Sequence, residues 1–274
     1  GRGPYVEPAA GRQRDRAAAV AVRGHRRGGG RVLPELREPA ADRARSGGGP
    51  TIIEALSIAI PSRPAILRDG QPLYVEGLRV DPAFFEIFRL PFLRGSPERA
   101  LPDTNSIVLT ESEAIRQFGS IDIVGRTITT TTGPQRRDYS VTAVIADLPR
   151  NSHLAFDALL PFDRSLYADY PEIFRSWGAM GQYHYVKLRP GADAAAINAA
   201  LPDWEKRVIP PQMIDGRSET QADIMDLELV NVRDVHLGEA QNMARTPGND
   251  RRTVATFAIV AALILAMACI NFVN

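Results

Sequence analysis

Between Ile52 and Asp250 the apolar positions change period repeatedly, and turn and cap residues interrupt them. Leu73–Val80 alternates as a strand should. Pro82–Phe88 predicts a short helix, with Asp81 as N-cap, Pro82 at the first position, and Phe84, Phe85 and Phe88 as its apolar face. Ile107–Leu109 predicts a short strand. Thr110-Glu111-Ser112-Glu113 then has the form of a capping box, opening a helix that buries Ala114, Ile115 and Phe118 and stops at Gly119. Thr127–Thr131 and Tyr139–Ala146 flank Thr132-Gly133-Pro134, a hairpin signal. Tyr183–Leu188 predicts another strand. Asp193–Val208 has helical spacing at Ile197, Leu201, Trp204 and Val208, with Pro202 inside it. Met225–Val230 predicts a returning strand. No repeat of fixed period occurs, and the mixed order favours an α+β fold over a regular βαβ sheet.

The C-terminal pattern is different in kind. Val254–Asn274 has no charged residue and is apolar all round, whereas a surface helix has one apolar face. At about 1.5 Å per residue it spans roughly 30 Å, the thickness of a hydrocarbon core, so residues 254–274 are expected to cross a lipid bilayer. Ala261, Ala262, Ala266 and Ala268 offer small faces to a neighbouring helix, Asn271 a polar group for helix–helix contact, and Cys269 inert packing. Arg251 and Arg252 flank the span on its N-terminal side, which taken alone points that side to the cytoplasm.

The N-terminal pattern is different again. Residues 1–50 hold 35 Arg, Gly, Ala or Pro, only six Val or Leu, and 11 Arg against five acids. That composition predicts a disordered leader. Only Tyr5 interleaves the arginines, so no stacking platform for nucleic acid is present and no nucleic-acid partner is expected. Ala17–Val22 is too short for the apolar core of a signal peptide. A second reading of the leader is GC-rich sequence outside the native reading frame. The formal charge of +1 thus joins unlike parts, because the remaining chain has 22 bases against 27 acids. With two lysines, Lys187 and Lys206, neither in G-x-x-x-x-G-K-[ST], a P-loop is excluded. One cysteine excludes an intrachain disulfide framework or a cysteine zinc site.

Searched for catalytic chemistry, the chain offers little. Asp234-Val235-His236 would put two ligand types on one face of a strand, but nothing nearby completes a metal set. Ser152, His153 and Asp157 are the residue types of a hydrolytic triad without a nucleophile elbow, and read better as a polar turn. Glu111 and Glu113 are explained by helix capping. Trp177 and Trp204 are expected as core or interface anchors. No catalytic, cofactor or metal residue is assigned.

Several blocks, in order from about residue 70, carry a family resemblance. Val80–Gly95, VDPAFFEIFRLPFLRG, resembles the opening of the periplasmic core domain of MacB/FtsX-like ABC transporter permeases: an extended segment, a double Phe on a short helix, and a Leu-Pro turn ending in Gly. Its matching positions are Asp81, Pro82, Phe84, Phe85, Phe88 and Gly95. Ile107–Gly125, with Ala114, Phe118, Gly119 and Gly125, is similar to the next block. Tyr139–Pro149 looks like the following strand, with Ala143 where the family commonly has Gly, and ends at Pro149. Asn151–Phe156, with His153, resembles the turn after it. Val232–Leu237, with His236, and Ala258–Asn274, with Asn271 and Asn274, look like the exit strand and second membrane helix.

The resemblance implies a two-lobed extracytoplasmic domain over residues 51–250, with an inserted lobe near 156–223, followed by the start of the FtsX-like membrane region. It implies a piece of a longer permease, because family members carry one membrane helix before the domain and three after it. It also implies a bacterial inner-membrane location with the domain in the periplasm, an ABC ATPase subunit as partner, a homodimer or paired permease, and a periplasmic partner protein. Export, or coupling of ATPase motion to that partner, is the expected function, without enzymatic chemistry of the chain's own. The alternative is a membrane-anchored extracytoplasmic binding module without transport.

Overall fold

The computed structural model describes residues 17–24, 52–68, 71–132, 135–149, 152–168, 182–208, 211–214, 217–219, 225–235 and 251–273. The first strands are β1 (Ala17–Gly24), β2 (Ile53–Ser62), β3 (Ala65–Arg68), β4 (Gln71–Tyr74) and β5 (Gly77–Val80). Helix α1 (Phe84–Ile87), β6 (Phe92–Arg94), β7 (Ser106–Thr110) and α2 (Glu111–Phe118) follow. Then come β8 (Thr127–Thr132), β9 (Gln135–Ile145), β10 (Ala158–Pro161), β11 (Tyr183–Leu188) and α3 (Ala194–Val208). A small hairpin, β12 (Gln212–Ile214) with β13 (Arg217–Glu219), precedes β14 (Met225–Asn231) and α4 (Arg251–Val273).

Twelve strands form one mixed sheet in the order β14-β1-β11-β2-β5-β10-β7-β9-β8-β3-β4, with β6 on β9. The pairs β5–β10 and β7–β9 are parallel and the others antiparallel. Its central strands are buried on both faces. In β7 and β10 alternate residues divide between two cores, Val108 and Leu159 on one side, Ile107, Leu109, Ala158 and Leu160 on the other. Such strands read as continuous apolar runs, as Ile-Val-Leu and Ala-Leu-Leu do here. The first core takes α1; the second takes Ala114 of α2.

The α+β expectation holds, with four local corrections. The predicted strand Leu73–Val80 is two strands, β4 and β5, separated at Val75-Glu76, where Val75 donates to the Pro64 carbonyl and Glu76 to Asp157. In α2 the Thr110 hydroxyl accepts the Glu113 amide, and Gly119 ends the helix at φ 71°, as predicted. The Glu113 carboxylate, however, turns to Arg116 and Gln117 rather than back to the cap. Ile115 is 50% exposed because only Ala114 faces the sheet squarely. The exit strand expected at Val232–Leu237 is a turn through Val235, with Asp234 donating to the Asn231 carbonyl. Within the leader, Ala17–Gly24 forms β1, which pairs with β11 and β14 on either side. The rest of 1–50 lies outside the described residues.

Two of the strands within 156–223 lie inside the main sheet. β10 sits between β5 and β7, and β11 between β1 and β2, so both are interior strands of the common sheet. Long-range pairing of this kind is invisible to a reading of local composition.

Helix α3 closes one end of the sheet. β14 is the terminal strand, and an open edge leaves a row of unpaired amides and carbonyls. Asn198 meets Leu229 twice, its side-chain amide donating to the Leu229 carbonyl and its oxygen accepting the Leu229 amide, and buried Glu205 accepts the Leu227 amide. Asn198→Ala is expected to destabilise the fold by about 1–3 kcal/mol, because it removes the partner of both the Leu229 amide and the Leu229 carbonyl. Hydrogen exchange at the Leu229 amide should accelerate while that at Leu227, held by Glu205, stays slow; unchanged exchange at Leu229 would refute the assignment.

At the other end the sheet curls. β2 and β3 are one run of chain broken at Arg63-Pro64, where the proline supplies no amide. Before the break the run pairs with β5; after it, with β8. The strands from β5 to β8 therefore close back on a single bent segment.

Candidate functional site

Four of the residues singled out by the sequence, Phe84, Phe85, Phe88 and His153, gather at the first core. Phe84 is fully buried, with ring centroids 4.7 Å from Phe88, 6.0 Å from Phe85 and 6.3 Å from Tyr185. Phe88 lies edge-on to Tyr185 at 4.8 Å, and His153 completes the group at 5.9 Å from Phe88 and 5.7 Å from Tyr185. One short helix, a β11 tyrosine and the turn after Pro149 are thereby joined in one aromatic cluster. Edge-to-face pairs of this kind add to the burial they accompany.

Asp81 has a different task from the one predicted. The N-cap position is Ala83, without a side-chain cap, and Pro82 lies before it. Asp81 instead accepts the Ile58 amide on Oδ2 at 3.2 Å, fastening the α1 turn to β2, while its carbonyl accepts the Phe84 amide. The helix is shorter than predicted because the chain reverts to extended geometry at Phe88.

The remaining motif positions are structural in their contacts. Gly95, at φ 76°, lies against Thr142 and Ala143 of β9. Ala114 is buried, and Phe118 carries the Arg126 guanidinium over its ring at 5.2 Å. Gly125, at φ 87°, donates its amide to the Val141 carbonyl at 2.7 Å. The Pro149 carbonyl accepts the Ser152 amide. Asn271 is exposed on α4. His236, Asn274 and Trp177 lie outside the described residues, whereas Trp204 is half-buried beside Ile52, Ile197 and Leu201 around a cavity of about 520 Å³.

The triad residue types take separate partners. The Ser152 hydroxyl accepts the Leu154 amide, His153 joins the aromatic cluster, and Asp157 accepts the Glu76 amide and faces Arg116. Among the described residues no three His, Cys, Asp or Glu side chains form a metal-sized cluster.

The structure also assembles a group that the sequence did not flag. Arg79 on β5, Arg137 and Tyr139 on β9, Thr130 on β8, and Tyr167 from the 3₁₀ turn Arg164–Tyr167 line a cavity of about 240 Å³ at the Arg63-Pro64 break. Arg137 donates to Asp163 Oδ2 at 2.9 Å and to Asn105 Oδ1 at 3.0 Å, and lies over the Tyr139 ring. Burial raises the Tyr167 phenol above its ordinary value, opposed by the Arg79 charge, so it remains an O–H donor at neutral pH. No contiguous motif contains these residues; only the curl of the sheet brings them together.

Burial acts to raise the Asp163 carboxyl, but the Ser165 hydroxyl, Arg137 and the Ser165 amide together bring it below its ordinary 3.8. A depressed folded-state value contributes stability that is complete above the unfolded value and is lost as pH falls through the folded one. The stability gap between the native chain and Asp163→Asn should therefore be constant near neutrality and shrink below about pH 4. Urea midpoints across that range test this; a gap independent of pH would refute it.

The sequence profile described as the MacB-like periplasmic core domain matches residues 9–203. The chain belongs to that family. The match takes in β1 and most of the Arg/Gly/Ala/Pro-rich leader. No curated protein matches the chain. A domain described as part of a permease from Porphyromonas gingivalis superposes with a TM-score of 0.52 at 24% identity, covering 79% of this chain and 90% of that one. The periplasmic region of MacB from Actinobacillus actinomycetemcomitans gives 0.49 at 13% identity, over 85% and 94% of the two chains. The extracellular domain of the ABC-type transporter YknZ from Gram-positive bacteria gives 0.44 at 9% identity, over 78% and 100%. In this chain the MacB-like core domain is an α+β domain built on the mixed sheet, and it is accompanied by α4. Thr253–Phe272 of α4 is long and apolar enough to cross a membrane, with mean hydropathy 2.6 and no part buried by the rest of the chain.

Proposed function

We propose that this chain is the extracytoplasmic domain and a membrane helix of an ABC transporter permease, coupling the motion of an ABC ATPase subunit to export or to a periplasmic partner. One observation carries the reading: a MacB-like core domain shares its chain with a fully exposed apolar helix of bilayer length. In water such a surface is unfavourable, whereas in lipid it satisfies its own backbone and buries its side chains. The domain is suited to transmit displacement because its core is one sheet. β14, the last described strand before α4, is hydrogen-bonded to β1, and β1 to β11, so a pull on β14 meets the sheet. On this reading the domain lies in the periplasm, α4 in the inner membrane, and the permease works as a homodimer or paired permease.

Two measurements test it. Leu263→Arg places a charge near the middle of α4, at about 2.5–3.5 kcal/mol against insertion, and should shift the chain from the carbonate-resistant membrane fraction toward the soluble one. An unchanged distribution would remove the membrane-spanning assignment. Cross-linking of the tagged chain in native membranes should recover an ATPase subunit bearing G-x-x-x-x-G-K-[ST]. Recovery without any ATPase would overturn the coupling role and leave the binding module without transport.

A further inference from the structure

The cavity at the Arg63-Pro64 break holds a charge that the described protein does not neutralise. Arg79 is only 6% exposed, and among the described residues its guanidinium makes one hydrogen bond, Nη1 to the Pro161 carbonyl at a long 3.4 Å. A guanidinium carries five N–H donors, and burying one without an anion is strongly unfavourable. The other two arginines at the cavity are matched: Arg63 pairs with Glu76 at 2.9 Å, and Arg137 with Asp163 at 2.9 Å. Counting those pairs as neutral, the described residues leave the cavity one positive charge, that of Arg79. The Tyr167 phenol and the Thr130 side chain line the same space.

The geometry points to a binding site for a small solute bearing one oxyanion, a carboxylate or a phosphate, with Arg79 as its principal contact. Guanidinium and phenol donors suit such a group: the fork binds two oxygens in one plane, and a protonated phenol adds a third donor. The volume of about 240 Å³ admits a small solute, and the recessed position of Arg79 keeps out larger charged surfaces. Asp163 limits the charge that can enter, because a second negative charge would face its carboxylate across Arg137. The site lies in the domain's own curl and stands independently of any role in transport.

The test uses the purified full chain in detergent, with melting temperature read in sodium acetate, sodium phosphate and sodium chloride at matched ionic strength. Stabilisation by acetate or phosphate beyond chloride is expected, and whichever acts more strongly identifies the oxyanion. Arg79→Met should melt higher than the native chain in chloride, since it removes an uncompensated buried charge, and should lose the oxyanion effect. Arg79→Lys, which keeps the charge and loses the fork, should bind at least about tenfold more weakly by calorimetric titration. Equal melting in all three salts would overturn the proposal, as would an undiminished oxyanion effect in either variant.

Discussion

Phe84→Ala should destabilise the domain by about 3–5 kcal/mol, the range for truncating a fully buried aromatic in a packed core. Phe84 has no exposed surface and touches Phe85, Phe88 and Tyr185, so its removal opens a void that three rings border. Collapse into the void is hindered because α1 is held at both ends, by the Asp81–Ile58 hydrogen bond and by the return to extended backbone at Phe88. Phe85→Ala is the control. Its ring is only partly buried at the margin of the same cluster, and the loss should be clearly smaller. Urea denaturation followed by tryptophan fluorescence reads both, and equal losses would mean that Phe84 is not the centre of the cluster.

Gly95→Ala should destabilise by about 2–5 kcal/mol, from two separable causes. A φ of 76° is left-handed, where any side chain is disfavoured by about 1–2 kcal/mol. The added methyl would also lie 2.6 Å from the Thr142 carbonyl oxygen and 2.8 Å from the Ala143 Cβ. Those atoms belong to β9, which is paired with β6, β7 and β8 and has little freedom to move aside. Gly119→Ala separates the causes. It has the same kind of backbone, φ 71°, but nothing within 4 Å of the added methyl, so its loss should be only about 1–2 kcal/mol. Matching losses at the two glycines would show that β9 yields to the methyl and that contact with it contributes nothing.

Much of this was written locally in the chain. Thr110 with Glu113 and Gly119 mark both ends of α2, the residues around Thr132-Gly133-Pro134 mark the β8–β9 hairpin, and Tyr183–Leu188 coincides with β11. Caps, turns and alternation are short-range effects, so neighbouring residues suffice to predict them. The aromatic cluster was half legible: Phe84, Phe85 and Phe88 stood out together, but Tyr185 and His153 join them only through packing. Asp81 was legible as a residue that ties down a turn, yet the amide it fastens is Ile58, far away in sequence.

The leader and the two ends of the chain mark the boundary best. Composition alone separates α4 from everything else, because the choice between water and lipid depends on summed apolarity over about 20 residues and on no partner. Composition says nothing of the pairing of Ala17–Gly24, a run rich in alanine and valine. Its place between β11 and β14 is secured by backbone hydrogen bonds on both sides, which small residues make as well as large ones. The opposite case is the Arg79 cavity. Each of its residues looks like an ordinary strand or turn residue, and it becomes a site only because a proline break lets one run of chain pair with β5 and then with β8. The sequence by itself determined the local elements, the family and the membrane-length helix. Tertiary pairing alone decided that β1 is a strand of the sheet and that a buried arginine faces an open cavity, because both depend on contacts between residues distant along the chain.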